Sequence, residues 1–430
     1  MALSAGRRAF LAVTVRVRRD APAQRARIRA VPHNRAWQRE VPLSCGLLRG
    51  SPTAADTRRG HKGTYMFATI LAAALALAPT DAAVAQADLQ FAAARIAADH
   101  PGLAPGVDPA LAAQARQAAS AAQARARRIV DRAGYVQVVQ AYVASFGDPH
   151  VAIELASPDA TSASATQPAP ASAAQGAFER LTPAAWKLTL PTFYAGDPGF
   201  ETTMSAIAAA ADALRQHTPA LLIVDLRGNG GGAAAPGDAV LAAIWGEQAL
   251  PALDRRRAKA SLWRVSDGVI DNLQTRRARI ATRYPQELPD FDRLLDGLRA
   301  AQRQGEALYR DPLPSAAAGT PPHGGPARIV AITDGACISA CLDFMDRLLE
   351  GPGVEQVGQP TGADTLYTEV ESVPLPSGRA TLLLPMQRLE GRQRGAMQAY
   401  APRVRLADDA AVSAWLHREV AALSPANGAP

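Results

Sequence analysis

The sequence contains no apolar run long enough to cross a membrane as an ordinary helix. The run after Met66 reads FATILAAALALA, which is signal-peptide length and well short of the ~20 residues of a spanning helix. Small residues in the following DAAVAQA are spaced for cleavage after Ala85 or Ala87. We therefore expect an exported protein, periplasmic or secreted, with residues 66–87 as its signal peptide and no stable membrane span after cleavage.

The first 65 residues lack hydrophobic periodicity and are rich in arginine. Residues 1–85 hold 14 of the 46 basic and 4 of the 39 acidic residues, so 32 bases and 35 acids remain. The net charge of +7 therefore belongs to the N-terminal segment, and composition gives no support for nucleic acid as a partner of the rest. We interpret residues 1–65 as translated upstream sequence outside the native protein; the alternative is a basic targeting or nucleic-acid-binding arm.

Cysteine is scarce, with three in 430 residues. Removal of the N-terminal segment takes Cys45 and leaves Cys337 and Cys341 as an even pair, in a compartment that permits disulfides. Their four-residue spacing allows a bridge if Cys337 precedes the following helix. Two buried free thiols and a catalytic cysteine are the alternatives.

The rest of the chain shows no internal repeat and divides into a helical part and an α/β part. Residues 88–150 are Ala-rich with helical spacing and predict a helical N-terminal cap. Residues 151–177 predict a low-complexity linker, and residues 178–425 predict a core that contains a polar, mostly helical insertion at about 253–312. Within the core we expect strands at 185–194, 220–225, 328–333 and 355–358, helices at 202–216, 238–245, 339–349 and 408–423, and a hairpin of 369–375 with 379–385.

The segment 221–232, LLIVDLRGNGGG, combines a buried strand with a glycine-rich turn. Glycine allows positive φ and brings backbone N–H groups close to an anion, or to an oxyanion that exists only in a transition state. A dinucleotide-binding turn would open a helix directly. Because Pro236 is expected to delay the next helix, we predict no cofactor.

Two further segments carry candidate catalytic side chains. After the strand 328–333, Ser339 stands where a helix begins, so its hydroxyl would lie near the Ala340 N–H and the positive end of the helix dipole. The alternative is that Ser339 only caps the helix. Upstream, His150 occupies a turn between a helix and an alternating strand, from which it could act as a base or simply pack.

Together these segments resemble the tail-specific, or C-terminal-processing, serine peptidase family in its tricorn-like branch. The resemblance rests on residues 225–232, 339–340 and 148–150, with support from 357–362 and 375–378. It implies an α/β fold with a crotonase/ClpP-like core of repeated ββα units behind a helical N-terminal region. It also implies a hydrolase that acts on peptides or proteins through a serine nucleophile, with no metal and no cofactor.

The sequence departs from this family in two ways. About 35 residues separate His150 from Trp186, too few for the PDZ domain that many relatives carry. Many relatives also use a Ser–Lys dyad, whereas no lysine follows Ser339 and Asp364 stands where the lysine would be. His150 is therefore the expected base.

The resemblance then implies a complete catalytic set. Ser339 would attack the carbonyl, His150 would move the proton, and the amides of Gly230, Gly231 and Ala340 would form the oxyanion hole. The acid that orients the imidazole is expected to be Asp364, with Glu369 as second choice; Asp148 is less favoured because it is so close to His150 in sequence, and Asp225 and Arg227 are expected to brace the turn. An inactive binding module of the same fold remains the alternative. An acyl-CoA enzyme is disfavoured because CoA is intracellular.

Overall fold

The computed structural model describes residues 80–156, 175–282, 285–313 and 320–423. Residues 1–65, most of the predicted signal peptide and most of the predicted linker lie outside the described residues. The fold is mixed α/β. Its helices are α1 (Asp81–Asp99), α2 (Pro109–Ala126), α3 (Arg132–Ala144), α4 (Phe200–Gln216), α5 (Ala235–Trp245), α6 (Asp267–Ile280), α7 (Leu288–Arg303), α8 (Ala340–Leu348) and α9 (Asp409–Ala422). Its strands are β1 (Ala152–Leu155), β2 (Ala177–Thr182), β3 (Ala185–Thr189), β4 (Leu221–Asp225), β5 (Ala260–Arg264), β6 (Leu308–Pro312), β7 (Arg328–Thr333), β8 (Val354–Gly358), β9 (Tyr367–Pro374), β10 (Ala380–Glu390) and β11 (Val404–Arg405).

One of the two sheets that the described residues form is mixed and has six strands, in the order β11-β8-β7-β4-β3-β2. Every residue of β4 is buried. Its side chains alternate, since Leu222 and Val224 join the core that includes α4, α5 and α8, while Leu221 and Ile223 join the core that includes α9. Because both faces are covered, the strand is apolar from Leu221 to Val224 rather than alternating, as its sequence predicts.

Strands β3, β4 and β7 run parallel, so their carboxyl ends meet at one edge of this sheet. The segments that follow them are the loop after β3, the glycine-rich turn after β4 and the loop that precedes Ser339 after β7. Ligand sites of open α/β sheets are formed by such segments. The topology therefore brings two of the sequence-predicted motifs together.

A second, antiparallel sheet packs against the helical N-terminal region. Strands β9 and β10 form the hairpin that the sequence predicts, and β10 also pairs with β1 and β5. Apolar side chains of α1, α2 and α3 share a core with those of β1, β9 and β10. The turn that holds His150 connects α3 to β1, so this core fixes both of its ends.

The predicted end of the signal peptide falls inside α1. The Thr80 hydroxyl caps this helix by accepting a hydrogen bond from the Ala83 N–H at 3.2 Å. Asp81 forms an ion pair with Arg379, and Ala85 is fully buried. Cleavage after Ala85 or Ala87 would remove these contacts.

Two predicted elements differ from the structure. The insertion at 253–312 is not only helical: β5 and β6 flank α6 and α7, and β5 also pairs with β10. Helix α5 begins at Ala235, earlier than predicted, because Pro236 sits in its first turn, where a missing N–H costs nothing. The crotonase/ClpP-like repeat of ββα units stays a prediction. No helix in the described part of the chain combines the length and the apolar character that crossing a membrane requires.

Candidate active site

The glycine-rich turn is held in place by a buried asparagine that the sequence analysis did not single out. The Asn229 side chain donates a hydrogen bond to the Leu190 carbonyl at 2.8 Å and accepts one from the Gly231 N–H at 2.9 Å. The Gly228 N–H donates to the Asp334 carboxylate at 3.0 Å. These contacts join the turn to the segments after β3 and β7. The sequence offered one signal for this role. An asparagine within a glycine run needs hydrogen-bond partners for its side-chain amide once it is buried.

Gly231 lies directly against Ser339. A Cβ atom at Gly231 would lie 2.9 Å from the Ser339 Cβ, 2.9 Å from the Ala340 nitrogen and 2.7 Å from the Ile338 carbonyl oxygen. Its φ is +87°, which favours glycine. The structure thus brings Gly231, Ser339 and Ala340 together, as predicted. The Gly231 N–H donates its hydrogen bond to the Asn229 side chain, and its role as an oxyanion donor stays a prediction.

Ser339 has a backbone conformation that is unusual for a residue with a side chain. Its φ is 56° and its ψ is −127°, close to the first central position of a type II′ turn, which glycine normally occupies. It is the residue before α8, but its side chain makes no capping hydrogen bond. The simple helix-cap alternative therefore does not explain this serine, and the hydroxyl is not committed to its own helix.

A disulfide joins Cys337 and Cys341, with a Cα–Cα distance of 5.3 Å. Both cysteines are fully buried. Cys337 precedes α8, and Cys341 is its second residue. The bridge therefore encloses Ser339 in a short covalent loop, and the alternatives of free thiols and of a catalytic cysteine do not apply.

His150 is 8% exposed, and both of its ring nitrogens lack a hydrogen-bond partner among the described residues. The Asp148 Oδ1 atom lies 3.3 Å from Nδ1, but the two atoms do not form a hydrogen bond. The same oxygen accepts a hydrogen bond from the His150 backbone N–H at 2.9 Å. Buried polar atoms are nearly always paired, so this imidazole has unused hydrogen-bonding capacity.

The structure gives a different surrounding to each carboxylate considered as the orienting acid. Asp364, the predicted acid, is buried and accepts hydrogen bonds from Arg392 and Arg394. Glu369 is exposed and pairs with Arg276. The carboxylate beside His150 is that of Asp148, because the tight turn folds the chain back over two residues.

The segment 361–365 links the serine loop to the histidine turn. A Cβ atom at Gly362 would lie 2.4 Å from the Ile338 Cγ2 atom, next to Ser339. The Thr365 hydroxyl donates a hydrogen bond to Asp148 Oδ2 at 2.9 Å. Since consecutive Cα atoms are about 3.8 Å apart, three residues span at most about 11 Å. Ile338, which precedes Ser339, and Asp148, which lies beside His150, therefore both contact one short stretch of chain.

Charged side chains brace the start of the glycine-rich turn, as the sequence predicts. Arg227 binds both oxygens of Asp225, at 2.9 and 2.7 Å, and Lys187 lies 3.2 Å from the same carboxylate. Burial by itself raises the pKa of Asp225, but the two cations outweigh it and hold the pKa below its ordinary value. In the described ranges of the chain, no three side chains of the metal-binding types converge on a common point.

The sequence profile of peptidase family S41 matches residues 187–400. The chain is similar to the structure of mature CPAF complexed with lactacystin, at 12% identity over 79% of this chain and 97% of that one, with a TM-score of 0.50. It is also similar to a lipoprotein from Streptococcus agalactiae, at 14% identity over 81% and 98% of the two chains, with a TM-score of 0.42. The photosystem II D1 C-terminal processing protease is 13% identical over 75% and 93%, with a TM-score of 0.36.

No curated protein sequence matches the chain. The CPAF structure shares little sequence with the chain, so that similarity concerns the fold alone. The match to the family profile covers the glycine-rich turn, Ser339 and the segment 361–365. The chain belongs to peptidase family S41, and it is a serine peptidase.

Proposed function

We propose that this chain is an exported peptidase in which Ser339 is the nucleophile and His150 the general base. Ser339 Oγ attacks the carbonyl carbon of a peptide bond while the imidazole accepts its proton, and the imidazole then returns the proton to the leaving amine. Water then attacks the carbonyl carbon of the acyl-enzyme while the imidazole accepts its proton. The imidazole returns that proton to Ser339 Oγ, which leaves as the acid product is released. The amides of Gly230 and Ala340 stabilise the developing oxyanion.

The observation that carries the proposal is the backbone conformation of Ser339 together with its lack of a capping hydrogen bond. Its φ and ψ lie in a region that costs roughly 1–3 kcal/mol for a non-glycine residue. No capping hydrogen bond from its hydroxyl to α8 offsets that cost. Nucleophilic serines of other hydrolases sit on comparable strained turns between a strand and a helix. Here the turn lies between β7 and α8.

The buried imidazole of His150 is the second support. Its ring nitrogens have no hydrogen-bond partner among the described residues, so one is available for the serine hydroxyl and the other for a carboxylate. We assign the orienting role to Asp148, whose Oδ1 atom is 3.3 Å from Nδ1, in place of Asp364. This pair forms its hydrogen bond in the substrate complex, since catalytic hydrogen bonds are often poorly aligned in the free enzyme and tighten when substrate binds.

Export is the other part of the proposal, and the disulfide between Cys337 and Cys341 supports it. Disulfides persist in secreted and periplasmic proteins and are rare in the cytosol. In a reducing compartment the loop around Ser339 would lose this covalent closure. The substrate is a peptide or a protein.

A fluorophosphonate probe tests the assignment of the nucleophile. The purified protein should be labelled at Ser339, labelling should vanish in Ser339→Ala, and it should fall by about 100-fold or more in His150→Ala. Peptide mapping locates the label. Peptide hydrolysis should fall in parallel.

Matched controls come from the same chain. Ser205 is an exposed serine on α4 whose hydroxyl donates to the Glu201 carbonyl, and His417 is exposed on α9. Ser205→Ala and His417→Ala should label like the parent protein. A folded parent protein that takes up no probe and cleaves no peptide would instead support the inactive binding module.

A further inference from the structure

The Thr365 hydroxyl forms two hydrogen bonds whose directions are fixed. It accepts one from the Tyr367 backbone N–H at 3.1 Å and donates one to Asp148 Oδ2 at 2.9 Å. An amide N–H can only donate, so the hydroxyl proton is left for the carboxylate. The Thr365 O–H therefore donates to Asp148, the carboxylate that lies beside His150.

The backbone of Thr365 is anchored as firmly as its side chain. Its carbonyl accepts a hydrogen bond from Arg392 Nη2 at 2.9 Å, and the same nitrogen binds Asp364 Oδ1 at 3.1 Å. Arg392 is 8% exposed. Charge-assisted bonds between buried groups are short and strong, so Thr365 has little freedom to move away from Asp148.

The same anchor reaches the helix that follows Ser339. Arg394 binds Asp364 and also donates to Asp346 Oδ1 on α8 at 2.9 Å. Arg394 and Asp346 are both buried. Arg394 thus ties the segment that holds Thr365 to the helix that follows Ser339.

We propose that Thr365 is a positioning residue that holds the Asp148 carboxylate against His150; this inference rests on the function proposed above. Asp148 uses Oδ1 for the histidine turn and Oδ2 for Thr365. With both oxygens held, the carboxylate cannot rotate about its Cβ–Cγ bond, and Oδ1 stays next to Nδ1. Without the hydroxyl, the imidazole loses a fixed partner for one nitrogen and no longer aims the other at Ser339. Thr365 acts only through Asp148 and does not contact the substrate.

Steady-state hydrolysis of a peptide by three variants tests this role. Thr365→Val removes the hydroxyl while keeping the shape, and kcat should fall about 10- to 100-fold with KM unchanged, because alignment is lost and substrate binding is not. Thr365→Ser keeps the hydroxyl and should restore most of kcat. Thr368→Val is the matched control, since Thr368 accepts a hydrogen bond from Gln387 and does not contact Asp148; its kcat should equal that of the parent protein.

The outcomes separate this inference from the proposed function. A parent protein that neither labels nor hydrolyses refutes the function. If the parent protein is active, then full kcat in Thr365→Val, an increase in KM alone, or an equal loss in Thr365→Val and Thr365→Ser overturns the role of the hydroxyl. Thr365→Ala serves as a second variant without the hydroxyl, and circular dichroism melting establishes that each variant is folded at the assay temperature.

Discussion

Ser339 combines a strained backbone with two local restraints. Its φ of 56° is unfavourable for a residue with a Cβ atom. The disulfide from Cys337 to Cys341 closes the loop around it, and Gly231 packs against it from the facing turn. Strain of this kind persists only where the surroundings over-determine the conformation. The hydroxyl is held in place by its neighbours rather than by a hydrogen bond of its own.

At this scale we predict that Gly231→Ala disrupts the site. The added Cβ atom would lie within 3 Å of three atoms of the serine loop, and alanine is disfavoured at a φ of +87°. We expect the free energy of unfolding to fall by about 1 kcal/mol or more, and probe labelling of Ser339 to fall about 100-fold. Thermal melting and labelling kinetics measure the two effects.

Gly230→Ala is the matched control for this prediction. A Cβ atom at Gly230 would meet nothing within 4 Å, so stability should change by less than about 0.5 kcal/mol. Equal stability losses in the two variants would contradict the close contact between Gly231 and the serine loop.

At the scale of elements, His100 fixes the connection between α1 and α2 to the antiparallel sheet. It is 1% exposed, its Nδ1 atom accepts a hydrogen bond from the Gly102 N–H at 3.0 Å, and its ring packs edge-on against Tyr367 of β9 at a centroid distance of 4.5 Å. Burial lowers the pKa of His100 from 6.5 to about 4, although the nearby carboxylates of Asp148 and Asp108 act in the opposite direction. The folded protein therefore holds this imidazole neutral.

This pKa predicts how stability depends on pH. The pKa of His100 is lower in the folded than in the unfolded state, so acidification favours the unfolded state. The free energy of unfolding should fall as the pH drops from about 6.5 to about 4, by up to about 3 kcal/mol from this group. Denaturant titrations between pH 4 and pH 8 measure the slope.

Replacing the imidazole isolates its contribution. In His100→Asn, the amide oxygen can still accept from the Gly102 N–H, but the group no longer titrates, so the slope between pH 4 and pH 6.5 should become shallower. His417→Asn, at an exposed position, should keep the slope of the parent protein. An unchanged slope in His100→Asn would refute the assignment.

At the scale of the whole molecule, the candidate site is assembled from distant parts of the chain. Asp148 and His150 come from the turn between the helical region and the antiparallel sheet. Ser339 and the glycine-rich turn come from the edge of the mixed sheet. The segment 361–365 connects them through contacts at Gly362 and Thr365. Neither sheet alone carries the full set of groups, so activity depends on the two sheets folding together.

Export makes a prediction about the mature chain. Asp81 pairs with Arg379 and Ala85 is buried, so removing residues through Ala87 would delete the start of a packed helix. We expect the exported protein to begin at or before Thr80, which caps α1, and to be two hydrogens lighter than its fully reduced form. Intact-mass spectrometry of the protein recovered from the periplasm or the medium, with and without reduction, tests both. A start at Gln86 or Asp88, or two free thiols, would contradict this expectation.

The sequence by itself determined the types and order of the functional groups. A buried strand that ends in a glycine run, a serine before a helix and a histidine in a turn are local patterns, because each depends on residues that are adjacent in the chain. The disulfide was predictable for the same reason. The hairpin of β9 with β10 and most of the core elements follow from local periodicity as well.

Tertiary structure alone decided which groups meet. Arg392 and Arg394 both donate to Asp364 across about 30 residues of chain, a pairing that the local sequence does not indicate. The Gly231 N–H donates to the side chain of Asn229, a hydrogen bond that only the folded turn reveals. Strands β5 and β6 were missed because their pairing with each other and with β10 stabilises short segments of weak pattern. A carboxylate or an amide takes its role from the partner that packing presents to it, and that partner is usually far away in the chain.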